Sequence, residues 1–163
     1  MEKFSIVEEQ SLVGIGNSEA FLYEVHPKDG HIASISNITE EKASKLKYTL
    51  HKGDKVSFEN FSKFITGKVY LTYPLSTIVE VEITNASSIG SLLWKVAQVY
   101  KALYKEEEEG ANVKTTPEEQ RGMVINRNRT DGKYGIWGHD LSDLYFEIVQ
   151  FYKNGLIELF IGS

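Results

Sequence analysis

The sequence predicts an α+β fold, in which a mainly antiparallel sheet carries one long amphipathic helix and ends in a C-terminal β-hairpin. Three observations predict this class. Runs of β-branched and aromatic residues alternate with turn residues, one segment repeats apolar residues at helical spacing, and an Asn-Gly pair separates two hydrophobic runs near the end. The chain has 163 residues, three prolines and no repeat or linker, so residues 1–163 are expected to form a single globular domain.

The predicted strands fall mainly in the first half of the chain. The runs FSIVEE, AFLYEVHP and HIASISNI are rich in β-branched and aromatic residues, and residues 27–30 between the last two predict a turn. GKVYLTY and STIVEVEIT predict two neighbouring strands on either side of Pro74. Between these groups, Asn37 or Thr39 can cap a short surface helix that begins near Glu40.

The long helix is predicted to begin after NASSIGS and to run through LLWKVAQVYKALYKEEEE. Ser87 or Ser88 is its candidate N-cap. Trp94 is expected at the edge of the apolar stripe, half exposed. The stripe, which should lie on the sheet, contains Leu93, Val96, Ala97, Tyr100, Leu103 and Tyr104.

A further short helix is predicted after Gly110. Thr116 as N-cap, Pro117 at the first helical position and Glu119 three residues beyond the cap fit a capping box. Gly122 is expected to interrupt this helix.

The C-terminal hairpin is predicted from Asn154-Gly155, because a two-residue type I′ turn needs positive φ at both central residues. Two-residue closure pairs Tyr152 with Ile157, Gln150 with Leu159 and Ile148 with Ile161. These six residues are predicted to form the core face of the hairpin.

The composition and the net charge limit the cellular compartment and the kinds of site that we expect. The chain has no cysteine, which excludes disulfides, thiolate metal sites and cysteine nucleophiles. The opening MEKFSIVEEQ lacks the apolar run of a signal peptide, and no segment approaches the roughly 18 apolar residues of a membrane span. A net charge of -5 opposes general nucleic-acid binding. We therefore expect a cytoplasmic protein that does not bind membranes, has no general affinity for nucleic acid and needs no cofactor.

The segment YGIWGHDLSDLYFE, residues 134–147, is the first candidate site. If it were helical, His139, Asp143 and Glu147 would share one face and could hold a divalent metal. The favoured interpretation is structural: Asp140 caps a single helical turn over residues 141–144, and Ile136 and Trp137 are buried as an aromatic plug. On that interpretation no metal site is expected.

The preceding loop, NRNRTDGK, is a candidate anion site. Arg127, Arg129 and Lys133 lie among turn formers and could bind a phosphate or carboxylate through bidentate guanidinium bonds. The alternative is a solvated loop whose arginines pair with acidic side chains. If the protein is an enzyme, a pocket shared by Arg129, His139 and Asp140 is the predicted place.

Glu106, Glu107, Glu108 and Glu109 form an acidic run at the predicted C-terminal end of the long helix. The helix dipole already presents partial negative charge there, so the run is locally unfavourable. It could be an acidic edge that binds a basic partner, or the frayed start of a flexible loop.

Two functions follow as expectations. The first is a binding module that recognises a protein partner, for example an inhibitor or immunity-type protein acting on a basic toxin or nuclease, with Arg127, Arg129, Trp137 or the acidic run in the binding surface. The second is a small hydrolase or ligand-binding enzyme that uses His139, Asp140, Asp143 and Arg129, with His139 as general base.

Overall fold

The computed structural model of the protein describes residues 1–9, 21–27, 33–46, 48–51, 65–123, 126–152 and 155–163. Within these ranges the chain forms two α-helices, which we call α1 (Glu40–Ser44) and α2 (Ile89–Gly110). Short 3-10 helices cover Glu118–Gln120 and Leu141–Asp143. The strands are β1 (Lys3–Val7), β2 (Phe21–Pro27), β3 (Ala33–Ser34), β4 (Tyr48–His51), β5 (Ile65–Leu71), β6 (Ile78–Ala86), β7 (Tyr145–Tyr152) and β8 (Leu156–Gly162). None of the described helices combines the length and apolar character that a membrane crossing requires.

The described strands form one sheet in the order β1-β6-β5-β8-β7-β2-β4, with β3 paired to β7. Only the pairing of β5 with β8 is parallel, and the others are antiparallel. Helix α2 packs on this sheet against β6. The predicted α+β class is confirmed, and the parallel pairing places the C-terminal hairpin in the middle of the sheet.

Helix α2 has the predicted cap and the predicted buried stripe. The Ser88 hydroxyl accepts the backbone N–H of Ser91 at 3.0 Å, which satisfies one free donor of the first turn. Trp94 and Tyr104 are half-buried at the edges of the stripe. The stripe residues that are buried against the sheet are Leu93, Val96, Ala97, Tyr100 and Leu103.

Helix α1 begins at the cap predicted from Thr39. The Thr39 hydroxyl accepts the backbone N–H of Lys42 at 3.2 Å. The helix packs on the first turn of α2, where a Cβ added to Gly90 would lie 2.0 Å from the carbonyl oxygen of Ala43. The absence of a side chain at Gly90 therefore sets how closely the two helices approach.

The hairpin of β7 and β8 is present, but the predicted register is wrong by one residue. Val149 pairs with Leu159 and Phe151 with Ile157. The carbonyl of Tyr152 accepts the N–H of Gly155 at 3.1 Å, and Gly155 has a φ of 82°. A three-residue connection that ends on a left-handed glycine explains the shift, because it adds one residue to the predicted two-residue turn.

This shift changes which face of β7 enters the core, since neighbouring strand residues point to opposite faces. Phe146, Val149 and Phe151 belong to the core, whereas Ile148 and Gln150 are only half-buried. Tyr152 is buried on the opposite face, where its hydroxyl contacts Gln150 and Glu158. The core face predicted for β8 is correct, with Ile157 buried and Leu159 and Ile161 packed against the core.

Two other local predictions have different outcomes. The capping box at Thr116 is wrong: Glu118–Gln120 is one 3-10 turn without a side-chain cap, and the N–H of Thr116 binds the side-chain oxygen of Asn128 at 2.8 Å. The turn predicted at residues 27–30 lies almost entirely outside the described residues, as do Lys153 and Asn154 of the hairpin connection.

Candidate functional site

The candidate site is built on residues 127–140, called here the 127–140 loop. Arg127 and Gly138 form an antiparallel bridge, and the N–H of Thr130 donates to the carbonyl of Ile136 at 3.0 Å. The segment therefore folds back on itself before it enters the 3-10 turn Leu141–Asp143. Its two arms lie side by side, as in a small hairpin.

Glu107 of α2 lies beneath this loop and is fully buried. One carboxylate oxygen accepts the Thr130 hydroxyl at 2.7 Å and the N–H of Gly132 at 3.0 Å. The N–H of Tyr134 donates to the other oxygen at 2.8 Å, and the N–H of Ile136 donates to the first oxygen at 3.4 Å. We call this arrangement the Glu107 anchor. It supplies acceptors to loop N–H groups that no helix or strand satisfies.

Burial alone would favour the neutral form of Glu107. The bonds from Thr130, Tyr134, Ile136 and Gly132 outweigh that effect, and the pKa of the Glu107 carboxyl is lowered from its ordinary value of 4.5. The carboxylate is therefore charged in the folded protein under neutral conditions.

Arg127 provides the buried positive charge of the loop. It is 4% exposed, and its guanidinium donates to the carbonyl of Ile136 at 2.9 Å and to the Thr130 hydroxyl at 3.4 Å. Because Thr130 donates in turn to Glu107, one hydroxyl links the two buried charges. The guanidinium also lies 5.5 Å from the centre of the Tyr104 ring. These contacts give Arg127 a structural position instead of a place in an open anion site.

A second set of bonds ties the loop to the segment after β5. The N–H of Ser76 donates to the carbonyl of Tyr134 at 3.0 Å, and its hydroxyl donates to the carbonyl of Gly135 at 2.7 Å. The N–H of Trp137 donates to the carbonyl of Pro74 at 3.0 Å. The loop backbone is thus held from the α2 side and from the β5 side.

Three rings meet where these segments join, and we call them the aromatic surface: Tyr73, Trp137 and His139. The Tyr73 and Trp137 rings are 5.3 Å apart and perpendicular, and the His139 ring lies 5.7 Å from Tyr73 and 6.3 Å from Trp137. Ile136 is buried as predicted, but Trp137 is not, since 38% of it is exposed. The loop turns Ile136 inward and Trp137 outward.

Ser163 joins the polar atoms of Tyr73 and His139. Its hydroxyl lies 2.9 Å from the Tyr73 hydroxyl and 3.3 Å from Nε2 of His139. The carbonyl of His139 accepts the hydroxyl of Tyr104 at 2.9 Å. His139 is thereby fixed both at its backbone and at its ring.

Asp140 forms an ion pair with Arg121. The two guanidinium nitrogens of Arg121 bind the two carboxylate oxygens at 2.5 and 3.0 Å. The hydrogen bond from Arg121 is the main cause that lowers the pKa of the Asp140 carboxyl. Asp140 also stands at the N-cap position of the predicted helical turn, where its N–H donates to the Asp143 carboxylate at 2.9 Å.

The remaining candidates do not converge on one pocket. Strand β7 begins at Tyr145, so Glu147 leaves the helical face that would have joined it to His139 and Asp143. Among the described residues, no three His, Asp or Glu side chains gather closely enough to hold a metal ion. Arg129 is exposed, and the described residues contain no carboxylate paired with it.

The acidic run belongs to the last turn of α2 instead of a frayed loop. Glu106 accepts the Tyr134 hydroxyl at 2.6 Å, and Glu108 accepts the Thr115 hydroxyl at 2.7 Å. Glu107 is buried with its own partners, so three of the four carboxylates accept hydrogen bonds within the chain. Glu109 is exposed, 4.0 Å from Lys105.

Comparison with known protein families, curated proteins and solved structures finds no match to this chain.

Proposed function

We propose that the protein is a binding module that recognises a protein partner through the aromatic surface of Tyr73, Trp137 and His139. The observation that supports this proposal most is the exposure of Trp137 on a loop whose backbone is fixed from two sides. Trp and Tyr are enriched among the residues that dominate binding energy at protein interfaces.

The Glu107 anchor supports the same proposal energetically. Ordering a loop on binding costs free energy, and a loop that is already held in one conformation avoids that cost. Burial of a charged group costs free energy, and the hydrogen bonds around Glu107 offset that cost. The loop that this arrangement holds is the one that presents Trp137 and His139.

The other forms of the expected function have less support. A basic partner bound by the acidic run would compete with the bonds of Glu106 and Glu108 inside the chain. A hydrolase with His139 as general base needs a group that orients the imidazole, and Asp140 is committed to Arg121. The cytoplasm is the proposed compartment, supported by the absence of cysteine.

Trp137→Ala is expected to abolish partner binding while the protein stays folded. The substitution removes the exposed ring and its contacts with the Tyr73 and His139 rings, and an aromatic pair is worth about 1 kcal/mol of stability. Affinity capture from the lysate of the cell that makes the protein, with wild type and Trp137→Ala compared, measures the loss. Thermal melting of both proteins checks the fold.

Phe160→Ala is the matched control, because Phe160 is also 38% exposed but lies on β8. We expect this variant to retain every protein that wild type captures. If Trp137→Ala captures the same proteins as Phe160→Ala, the aromatic surface is not the binding site.

A further inference from the structure

Arg129 lies on the arm of the 127–140 loop that pairs with the arm carrying Trp137. The bridge of Arg127 with Gly138 and the bond from Thr130 to Ile136 place Arg129 opposite Ile136 and Trp137. Arg127 and Thr130 are buried, whereas Arg129 and Trp137 are both exposed. A Cβ added to Gly135 would lie 3.9 Å from a guanidinium nitrogen of Arg129, which places this group over the same loop.

The other charged side chains of this segment and of the turn that follows it have contacts of their own. Asp131 accepts the N–H of Val113 at 2.7 Å, and Asp140 binds Arg121. Asp143 accepts the N–H of Asp140. Lys133 lies 5.4 Å from the centre of the Tyr134 ring. Within the described ranges, the Arg129 side chain is therefore exposed on this loop, and its guanidinium has no ion-pair partner.

We infer that the partner presents an acidic segment, in which a carboxylate binds Arg129 while a neighbouring apolar side chain packs on Trp137. This inference rests on the proposed function, since it names the chemistry that the aromatic surface recognises. A planar guanidinium with free donors matches a carboxylate in a two-bond geometry. An apolar or aromatic side chain beside that carboxylate would cover the exposed ring of Trp137.

The net charge of -5 does not prevent this contact. At physiological ionic strength, charges more than about 8 Å apart are largely screened. The charges close to the bound carboxylate therefore decide its affinity, and within the part of the chain that the structure describes Arg129 is an exposed cation of this loop with no carboxylate paired to it.

The test is selection of a phage-displayed random peptide library on the immobilised 163-residue chain, with the Trp137→Ala variant in parallel. Peptides enriched on wild type and not on Trp137→Ala bind the aromatic surface. We expect these peptides to share an Asp or Glu next to a large apolar residue and to carry net negative charge.

The outcomes of this selection distinguish the inference of an acidic segment from the proposed function. If the peptides whose binding requires Trp137 are neutral or basic, the inference of an acidic segment is wrong, and the proposed function is still supported. A library in which no enriched peptide depends on Trp137 overturns both. Acidic peptides that depend on Trp137 support both.

One selected acidic peptide, made synthetically, then tests Arg129 itself. Arg129→Gln is expected to weaken its binding on the order of 10- to 100-fold, the fold-change that loss of one charge-assisted hydrogen-bonded contact produces. Lys3→Gln, an exposed cation on the edge strand β1, is the matched control and should change the affinity by less than about 2-fold. Equal affinities of wild type and Arg129→Gln would overturn the role of Arg129.

Discussion

Replacing Glu107 with alanine is expected to lower the free energy of unfolding by about 3–5 kcal/mol. The substitution removes the acceptor of the buried N–H of Tyr134 and of the half-buried N–H of Gly132, and both groups would lose their partner. It also leaves the Arg127 guanidinium buried without the negative charge that it reaches through Thr130. Urea unfolding of wild type and variant measures the difference.

Glu109→Ala is the matched control for this prediction. It removes a like charge from the same end of α2, but the Glu109 side chain is 66% exposed and its pairing with Lys105 is at 4.0 Å. We expect a change within about 0.5 kcal/mol. If Glu107→Ala costs no more than Glu109→Ala, Glu107 does not anchor the loop.

The effect of Glu107 also has a predicted pH dependence. Because folding lowers the pKa of its carboxyl from 4.5, the stabilisation is fully present above that pH and is lost as the pH falls toward the folded value. Glu107→Gln has no such titration. The stability difference between wild type and Glu107→Gln should therefore be widest above pH 4.5 and narrow below it.

Gly90→Ala is expected to destabilise the protein by about 2–3 kcal/mol, although alanine is the better helix former by about 1 kcal/mol. The new Cβ would lie 2.0 Å from the carbonyl oxygen of Ala43, and a backbone atom cannot rotate away. Helix α1 would have to move off α2. For a protein of this size we expect the melting temperature to fall by roughly 4–12 °C.

Gly110→Ala makes the same change at the other end of α2, where a Cβ meets nothing within 4 Å. Only the helix propensity then acts, so this variant should be unchanged or up to about 1 kcal/mol more stable. The expected result is a loss of stability for Gly90→Ala and no loss for Gly110→Ala. A Gly90→Ala protein as stable as wild type would contradict the close contact of α1 with α2.

The fold could be predicted from the sequence because its elements have strong local signals. The spacing of Leu93, Val96 and Tyr100 alone requires a helix with one buried face, and Ser88 marks its start. The hairpin register could not be predicted in the same way. It depends on the backbone conformation of the connection, and Asn-Gly before β8 fits both a two-residue and a three-residue turn.

The candidate site was less predictable because its contacts join distant parts of the chain. Tyr73 and Ser163 are 90 positions apart, and no local pattern brings them together. A signal for Glu107 did exist: it lies four residues after Leu103 and seven after Tyr100, so the apolar stripe of α2 continues to it. A charged residue at a stripe position indicates a buried charge with partners. The sequence contains no such signal for the exposure of Trp137. The alternation of buried and exposed residues in a regular strand does not continue through a loop whose conformation is set by hydrogen bonds to distant residues.

Amide hydrogen exchange of Gly132, Tyr134 and Ile136 is the most direct test of the Glu107 anchor, on which the proposed binding surface depends. If the anchor holds the loop, these amides in wild type exchange with free energies close to that of global unfolding, and Glu107→Gln makes them exchange by local opening while α2 stays protected. Exchange of the wild-type amides at the rate of an exposed loop would show that the loop is not held, and the preorganised surface at Trp137 would be contradicted.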